Sequence, residues 1–261
     1  MNYKWNNAGL YESYVGRWSR LVAVEFLNWL NMNSGLLWLD VGCGTGALSN
    51  AILQSRSPKK IIGIEPSESQ IEYARESIKD TRAEFLVSDA VKLNVNDEYA
   101  DVLVSGLVLN FIPDLKSALT EFKRAVKTGG TIAAYVWDYS GKMELMRYFW
   151  DAAVRSFEDA REKDEAARFE ICNPERLADA FNSAGLINTE VTFIDVPTVF
   201  KDFDDYWTPF LSGIGPAPGY CMSLSEKNRE LLKNEVYKSL PIEKNGSIKL
   251  IARAIAVKAE R

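Results

Sequence analysis

Histidine is absent from all 261 residues. The chain therefore lacks the side chain that most often serves as general base and most often ligates a metal. Ser-His-Asp and Cys-His mechanisms are excluded, a zinc site would lack its usual nitrogen ligands, and no metal centre is expected. Cysteine is scarce and scattered: Cys43, Cys172 and Cys221 form no C-x-x-C pair, and an odd count argues against a disulfide framework. A reduced, cytoplasmic setting is the expectation that follows. No apolar run reaches the roughly 18 residues needed to span a bilayer. Residues Met1 to Asn7 also lack the basic-then-apolar order of a secretory signal. Basic runs do not exceed the pair Lys59-Lys60, and the net charge is −5, so neither nucleic acid nor a membrane is expected as a partner.

What is present is enough for a substantial core. At 47% apolar content the chain reads as one domain, 1–261, with insertions. Residues 1–35 read as an N-terminal helical cap, 36–138 as a ligand-binding core and 139–172 as a helical insertion. Residues 173–261 read as a helix and strand pair, with 197–247 inserted as a lid.

The organising stretch is Leu36-Leu37-Trp38-Leu39-Asp40-Val41-Gly42-Cys43-Gly44-Thr45-Gly46-Ala47-Leu48-Ser49. An apolar run, alternating glycines and an amphipathic pattern (Ala47, Leu48, Ala51, Ile52) read as buried strand, tight turn and helix. Such a turn lets backbone approach a ligand closely and points helix N–H groups at it. That is the build of a nucleotide-cofactor site at the carboxyl end of a first parallel strand.

The rest of the chain repeats the alternation. A helix is expected over Tyr11–Leu30, with Val22, Phe26, Trp29 and Leu30 at core spacing. The second strand is Lys60–Glu65, followed by a helix with a capping box of Ser67 and Gln70. Further strands are expected at Glu84–Ser88, Asp101–Ser105 and Thr131–Asp138, with a helix from Asp114 stopped by Gly129-Gly130. Residues Gly141 to about Glu165 read as a helix whose charge-rich end is a solvated face. Asn173-Pro174 opens another helix, closed by Gly185. Asn188–Val196 and Lys249–Val257 then alternate as an antiparallel pair. The insertion between them carries an aromatic segment (Phe203–Phe210), a proline-glycine turn region (Gly213–Tyr220) and a helix near Glu226–Leu240. The fold class is α/β: a doubly wound, mostly parallel seven-stranded sheet with a terminal antiparallel pair and an inserted helical lid.

Two cofactor classes fit the turn. Gly42, Gly44 and Ala47 satisfy the dinucleotide pattern G-x-G-x-x-A, and Glu65 would accept ribose hydroxyls in either case. Asp40 separates them. An acid beside a diphosphate at ~4 Å costs on the order of 4 kcal/mol at an effective dielectric of ~20, whereas a sulfonium compound welcomes it.

Leu39-Asp40-Val41-Gly42-Cys43-Gly44-Thr45-Gly46 resembles the first motif of the class I, Rossmann-like S-adenosylmethionine-dependent methyltransferases, small-molecule branch. Glu65, Asp89-Ala90 and Lys127-Thr128-Gly129-Gly130-Thr131 match later motifs in order and spacing, over roughly residues 36–138. The resemblance implies S-adenosylmethionine as cofactor and a small-molecule acceptor, and leaves the oligomeric state open. It also implies that Asp40 and the backbone of Gly42, Cys43 and Gly44 hold the methionine part. Glu65, with Pro66 beside it, would hold the ribose, Asp89 and Ala90 the adenine, and Leu107 would face the methyl donor. Tyr14, Arg17 and Trp18 would close on the cofactor from an entry helix. Asn110 stands where many relatives carry histidine, and Ser105-Gly106-Leu107-Val108 replaces the Asn/Asp-Pro-Pro-Phe/Tyr motif of adenine and glutamine methylation. No catalytic residue is assigned. If a base is needed, Asp138, Tyr139, Tyr206 and Tyr220 are candidates, while Trp137, Trp150, Trp207 and Phe210 suit an apolar acceptor. The alternatives are a protein that binds an S-adenosyl compound without turnover and an NAD-dependent oxidoreductase.

Overall fold

The computed structural model describes residues 16–213 and 215–261. Its first helix, α1 (Arg17–Leu30), buries Val22, Ala23, Phe26, Leu27 and Leu30 on one stripe, as its apolar spacing requires. The expected start at Tyr11 falls among residues outside the described ones.

Strands β1 (Leu37–Val41), β2 (Lys60–Glu65), β3 (Ala83–Val87) and β4 (Ala100–Gly106) alternate with helices α2 (Ala47–Ser55), α3 (Glu68–Ser77) and α4 (Leu115–Ala125). Trp38, Leu39 and Val41 of β1 are all buried, the mark of a strand covered on both faces. Leu39 lies in register with Ile62 of β2 on one side and Leu103 of β4 on the other, both parallel. Strand β5 (Val126–Trp137) pairs in parallel with β4, and β6 (Ile187–Phe200) and β7 (Ile248–Glu260) complete the sheet. The order is β3-β2-β1-β4-β5-β7-β6, with the last two strands antiparallel additions.

Several boundaries differ from the sequence expectation for local reasons. Strand β5 begins at Val126, not Thr131, because Gly129-Gly130 forms an irregularity inside the strand instead of a stop. Gly129 sits at φ 76°, its N–H donates to the Arg261 carbonyl at 3.1 Å, and the register shifts between Ala100 and Val102. The Ser67–Gln70 capping box does not form. Ser67 occupies the N-cap of α3 without a side-chain cap, while its own N–H donates to the Glu65 carboxylate at 3.2 Å.

The segment after β5 is not one helix. It comprises α5 (Glu144–Ser156), a 3-10 turn at Glu158–Ala160 and the short α6 (Glu165–Arg168). Its charge-rich end is solvated at Glu158, Asp159, Arg161 and Glu162, but Asp164 and Glu165 are buried. Helix α7 (Pro174–Ser183) starts as expected, with Asn173 accepting the Arg176 N–H at 3.0 Å. Beyond β6 come α8 (Phe203–Trp207), a 3-10 turn at Thr208–Ser212, α9 (Pro216–Ser223) and α10 (Glu226–Ser239). The proline-rich stretch read as a turn is helical because its prolines occupy a first turn, where N–H groups have no partner anyway.

The chain divides into two compact units. One comprises the described part of Met1–Ser19 with Trp137–Cys172 and Asp195–Ala254; the other comprises Arg20–Val136, Asn173–Ile194 and Ile255–Arg261. The stretches 139–172 and 197–247, read from sequence as insertions, belong to the first unit. That unit is built on aromatic packing: the rings of Phe149 and Phe210 stack at 4.5 Å and 7°, with Trp150 and Trp207 against Phe149. The second unit holds β1 to β4 and the glycine turn.

Candidate functional site

The turn from β1 into α2 is held by backbone bonds. The N–H groups of Gly42 and Cys43 both donate to the Ile64 carbonyl, at 2.7 and 3.1 Å, and Gly46 N–H donates to the Cys43 carbonyl at 2.8 Å. Gly42, Gly44 and Gly46 take φ values of 76°, 54° and 87°, a region other residues enter only with strain. A Cβ on Gly42 would lie 2.5 Å from the Val108 side chain, so the β1 turn and the loop after β4 close together. What Gly42 and Cys43 bring to a ligand is therefore close approach rather than N–H donation. The Cys43 side chain points away into a core cluster with Ile71, Ala74 and Phe85. Burial and the neighbouring Asp40 and Glu65 push its thiol well above the ordinary range, so it is an inert hydrophobe.

Asp40 is 1% exposed. Its Oδ2 accepts the Ser49 hydroxyl at 2.6 Å, tying β1 to α2, and Oδ1 has no partner among the described residues. Burial raises its pKa to about 7, against the opposing pull of the Ser49 hydrogen bonds. Near neutrality this carboxyl is about half protonated and braces the turn.

Glu65, half-buried at the end of β2, is the acid presented on the turn. Its Oε2 accepts the Gly44 N–H at 3.3 Å and its Oε1 the Ser67 N–H at 3.2 Å. Burial raises its pKa, and the Ser67 and Gly44 N–H groups counter that rise. Pro66 is exposed beside it. Asp89 is exposed beyond β3, with Oδ1 accepting the Val91 N–H at 3.0 Å, and Ala90 is half-buried.

Leu107, just past β4, holds a positive φ of 63° and donates its N–H to the Tyr135 carbonyl at 2.7 Å. A branched residue in that conformation is strained, and such strain concentrates at functional positions. Gly42, Gly44, Glu65, Asp89, Ala90 and Leu107 thus lie on the turns after β1, β2, β3 and β4, within one unit. Ser49, Val108 and Gln70 were missed by sequence reasoning as parts of this region, whereas Asn110 was noted there only as the residue in place of a histidine. Ser49 braces Asp40, Gln70 Oε1 lies 3.0 Å from where a Gly44 Cβ would sit, and the Asn110 amide nitrogen is buried with no partner among the described residues. Only Ser49 carried a legible signal, as a hydroxyl on the first turn of the helix after the glycines.

The remaining expected residues that the structure describes belong to the first unit. Tyr14 lies outside the described residues. Arg17 Nη1 pairs with Asp205 Oδ1 at 3.3 Å, and its guanidinium lies over the Trp18 ring at 4.3 Å and the Phe200 ring at 4.9 Å. The candidate bases are structurally engaged. Asp138 accepts the N–H groups of Gly141 and Lys142 at 2.9 and 3.1 Å. Tyr206 is fully buried, donates to the Leu145 carbonyl at 2.7 Å and has its pKa pushed well up by burial. Tyr220 donates to Asp159 at 3.1 Å, and its pKa is raised by burial and by that carboxylate. Tyr139 packs tilted against the Phe169 ring at 5.5 Å. Trp137, Trp150, Trp207 and Phe210 are all core. Among the described residues no group of histidine, cysteine or acidic side chains could hold a metal, and no helix is long and apolar enough to cross a membrane.

An open parallel sheet with glycine turn and terminal acid at adjacent strand ends defines a Rossmann-like nucleotide-cofactor protein. A family profile described as a methyltransferase domain matches residues 39–134. Malonyl-[acyl-carrier protein] O-methyltransferase of Acetivibrio thermocellus is 27% identical over 173 residues, 66% of this chain and 59% of that protein. Demethylmenaquinone methyltransferase of Bacillus subtilis is 26% identical over 179 residues, 62% of this chain and 75% of that one. In fold, the chain is similar to phosphoethanolamine N-methyltransferase 2 of Haemonchus contortus, solved with phosphomonomethylethanolamine and S-adenosylhomocysteine. The TM-score there is 0.61 at 16% identity, covering 97% of this chain and 56% of that one. Residues 39–134 thus carry the match to a methyltransferase domain, and the sheet has the Rossmann-like fold of the solved methyltransferases to which the chain is similar.

Proposed function

We propose that this protein transfers a methyl group from S-adenosylmethionine to a small-molecule acceptor, with the glycine turn and Glu65 as the cofactor's principal holders. The observation that carries this reading is the pairing of the Gly42–Gly46 turn with a half-buried carboxylate reaching Gly44 N–H at 3.3 Å. That hydrogen bond is long and weak, so the Glu65 oxygens can be turned to a ribose diol at little cost. A turn with no side chain at Gly42, Gly44 and Gly46 fits a flat, polar nucleoside placed close to backbone. When bound, S-adenosylmethionine brings a methyl group already activated by a positively charged sulfur.

The residues then have positioning as their main work. Asp40 holds the turn through Ser49, Glu65 fixes the ribose, and Asp89 with Ala90 borders the adenine. Leu107 sets the wall at the strand end. Alignment alone can remove several kcal/mol of barrier, about 7–11 at most. An acceptor that ionises readily needs no protein base. Both named curated relatives act on acceptors other than nucleic acid, malonyl-[acyl-carrier protein] and demethylmenaquinone, which supports an acceptor outside that class.

Calorimetric titration with S-adenosylhomocysteine and with NADH tests the reading. S-adenosylhomocysteine should bind, and Glu65→Ala should weaken it about tenfold or more, the worth of a charge-assisted hydrogen bond of ~1.5–3 kcal/mol. Tight NADH binding with no response to S-adenosylhomocysteine would overturn it. Binding without turnover is favoured by one observation, that Asp138, Tyr206 and Tyr220 are all tied to structural partners. S-adenosylhomocysteine release with any member of an acceptor panel would remove that second reading.

A further inference from the structure

Asparagine is followed directly by glycine at one place in the chain, Asn245-Gly246, in the turn that leads into β7. Ile242 and Ile248 close that turn as an antiparallel bridge, and the Glu243 N–H donates to the Ser247 carbonyl at 2.9 Å. Gly246 sits at φ 86°, and a Cβ there would meet nothing within 4 Å. The backbone therefore requires glycine, and the space beside it is open.

The Asn245 side chain is exposed, yet it is held. Its Oδ1 accepts the Ser247 N–H at 3.1 Å and the Ser247 hydroxyl at 2.8 Å. A side-chain amide bonded to the residue two positions on is folded forward across the intervening peptide, here that of Gly246. The two donors also sit on the one atom that becomes negative when a nucleophile adds to the amide carbon, the arrangement that stabilises an oxyanion. The Gly246 N–H is itself held by the Glu243 carbonyl at 2.9 Å. In an exposed turn such a bond opens locally at small cost, so it delays attack by that nitrogen without preventing it.

We infer that Asn245 is a site of intramolecular modification in the folded protein, converted to aspartate and isoaspartate with the aid of Ser247. Hydroxide takes the Gly246 N–H proton, the nitrogen bonds to Asn245 Cγ, and the carbonyl electron pair moves to Oδ1 between the two Ser247 donors. Collapse breaks the Cγ–Nδ2 bond, and that nitrogen takes a proton from water and leaves as ammonia. Water then opens the five-membered imide, at Cγ to give aspartate or at the main-chain carbonyl to give isoaspartate. Nothing is oxidised or reduced. Either product puts a carboxylate into a turn that already carries Glu243. Aspartate keeps an acceptor for both Ser247 donors, whereas isoaspartate lengthens the main chain between Ile242 and Ile248 and loosens the entry to β7. This chemistry needs no cofactor and stands apart from methyl transfer.

The test incubates the full-length protein at physiological temperature in mildly alkaline buffer made with heavy-oxygen water, followed by peptide mapping in a mass spectrometer. The peptide holding Asn245 should take up the heavy label while circular dichroism shows the protein folded, and chromatography should separate its two products. Ser247→Ala should slow labelling about fivefold, the worth of one hydrogen bond, and Ser247→Thr, which keeps the hydroxyl, should label at the wild-type rate. Two results overturn the inference. One is folded protein that stays unlabelled while a synthetic peptide of residues 241–250 converts, which would make the turn a shield. The other is Ser247→Ala labelling as fast as wild type or faster, which would leave the hydroxyl no part in the reaction.

Discussion

Glu165→Gln should make the protein more stable, and increasingly so as pH rises. Glu165 is 1% exposed, accepts the Trp150 indole N–H on Oε2, and has an Oε1 with no partner among the described residues. Burial raises its pKa from 4.5 to about 8. The unfolded chain releases this proton near pH 4.5 while the folded chain keeps it to about pH 8. In that window the native state holds more protons, so stability falls as pH rises and levels off above pH 8. At about 1.4 kcal/mol for each pH unit, the cumulative loss is on the order of 5 kcal/mol. Glutamine keeps an oxygen for Trp150 and never ionises. Urea unfolding followed by circular dichroism at intervals from pH 5 to 9 should show the variant gaining on wild type through the window. Asp40, raised to about 7 by burial, tilts both curves in the same direction and cancels in the difference. Parallel curves for the two proteins would refute the reasoning.

Gly42→Ala should lose about 1–3 kcal/mol of stability and at least tenfold in S-adenosylhomocysteine affinity, from a φ of 76° and a Cβ 2.5 Å from Val108. Adding Val108→Ala should restore part of the stability; a double variant no better than the single one would show that the contact with Val108 is not the cause. Tyr206→Phe should cost about 1–3 kcal/mol by leaving the Leu145 carbonyl unpaired. Absorbance at the tyrosinate band should be the same for variant and wild type up to the alkaline unfolding transition, and earlier ionisation of Tyr206 would reopen its candidacy as a base.

Where the chain's local signals agree with each other, the sequence was legible. Strand β2 has the bounds read from it because Ile61–Ile64 is a short apolar run flanked by Lys60 and the acid Glu65, and Asn173-Pro174 opened α7 because cap and first-turn proline act locally. Gly129-Gly130 misled because a glycine pair reads as a stop, whereas its meaning came from a carbonyl on Arg261, far along the chain. Glu165 misled for the same reason: a charged run carries no sign that Trp150 waits to receive it. In the site, the glycines and Glu65 were visible as residue types at a spacing. The real condition of Asp40, buried and bonded to Ser49, depends on packing that no local pattern records.

Cys43, Cys172 and Cys221 are all buried and unpaired, and burial raises the thiol pKa of each. A thiol-trapping reagent therefore meets little reactive sulfur in the native protein and gains access only as structure opens. Cys43 belongs to one unit and the other two cysteines to its counterpart, so mapping which site is alkylated first ranks the two units by how readily each breathes.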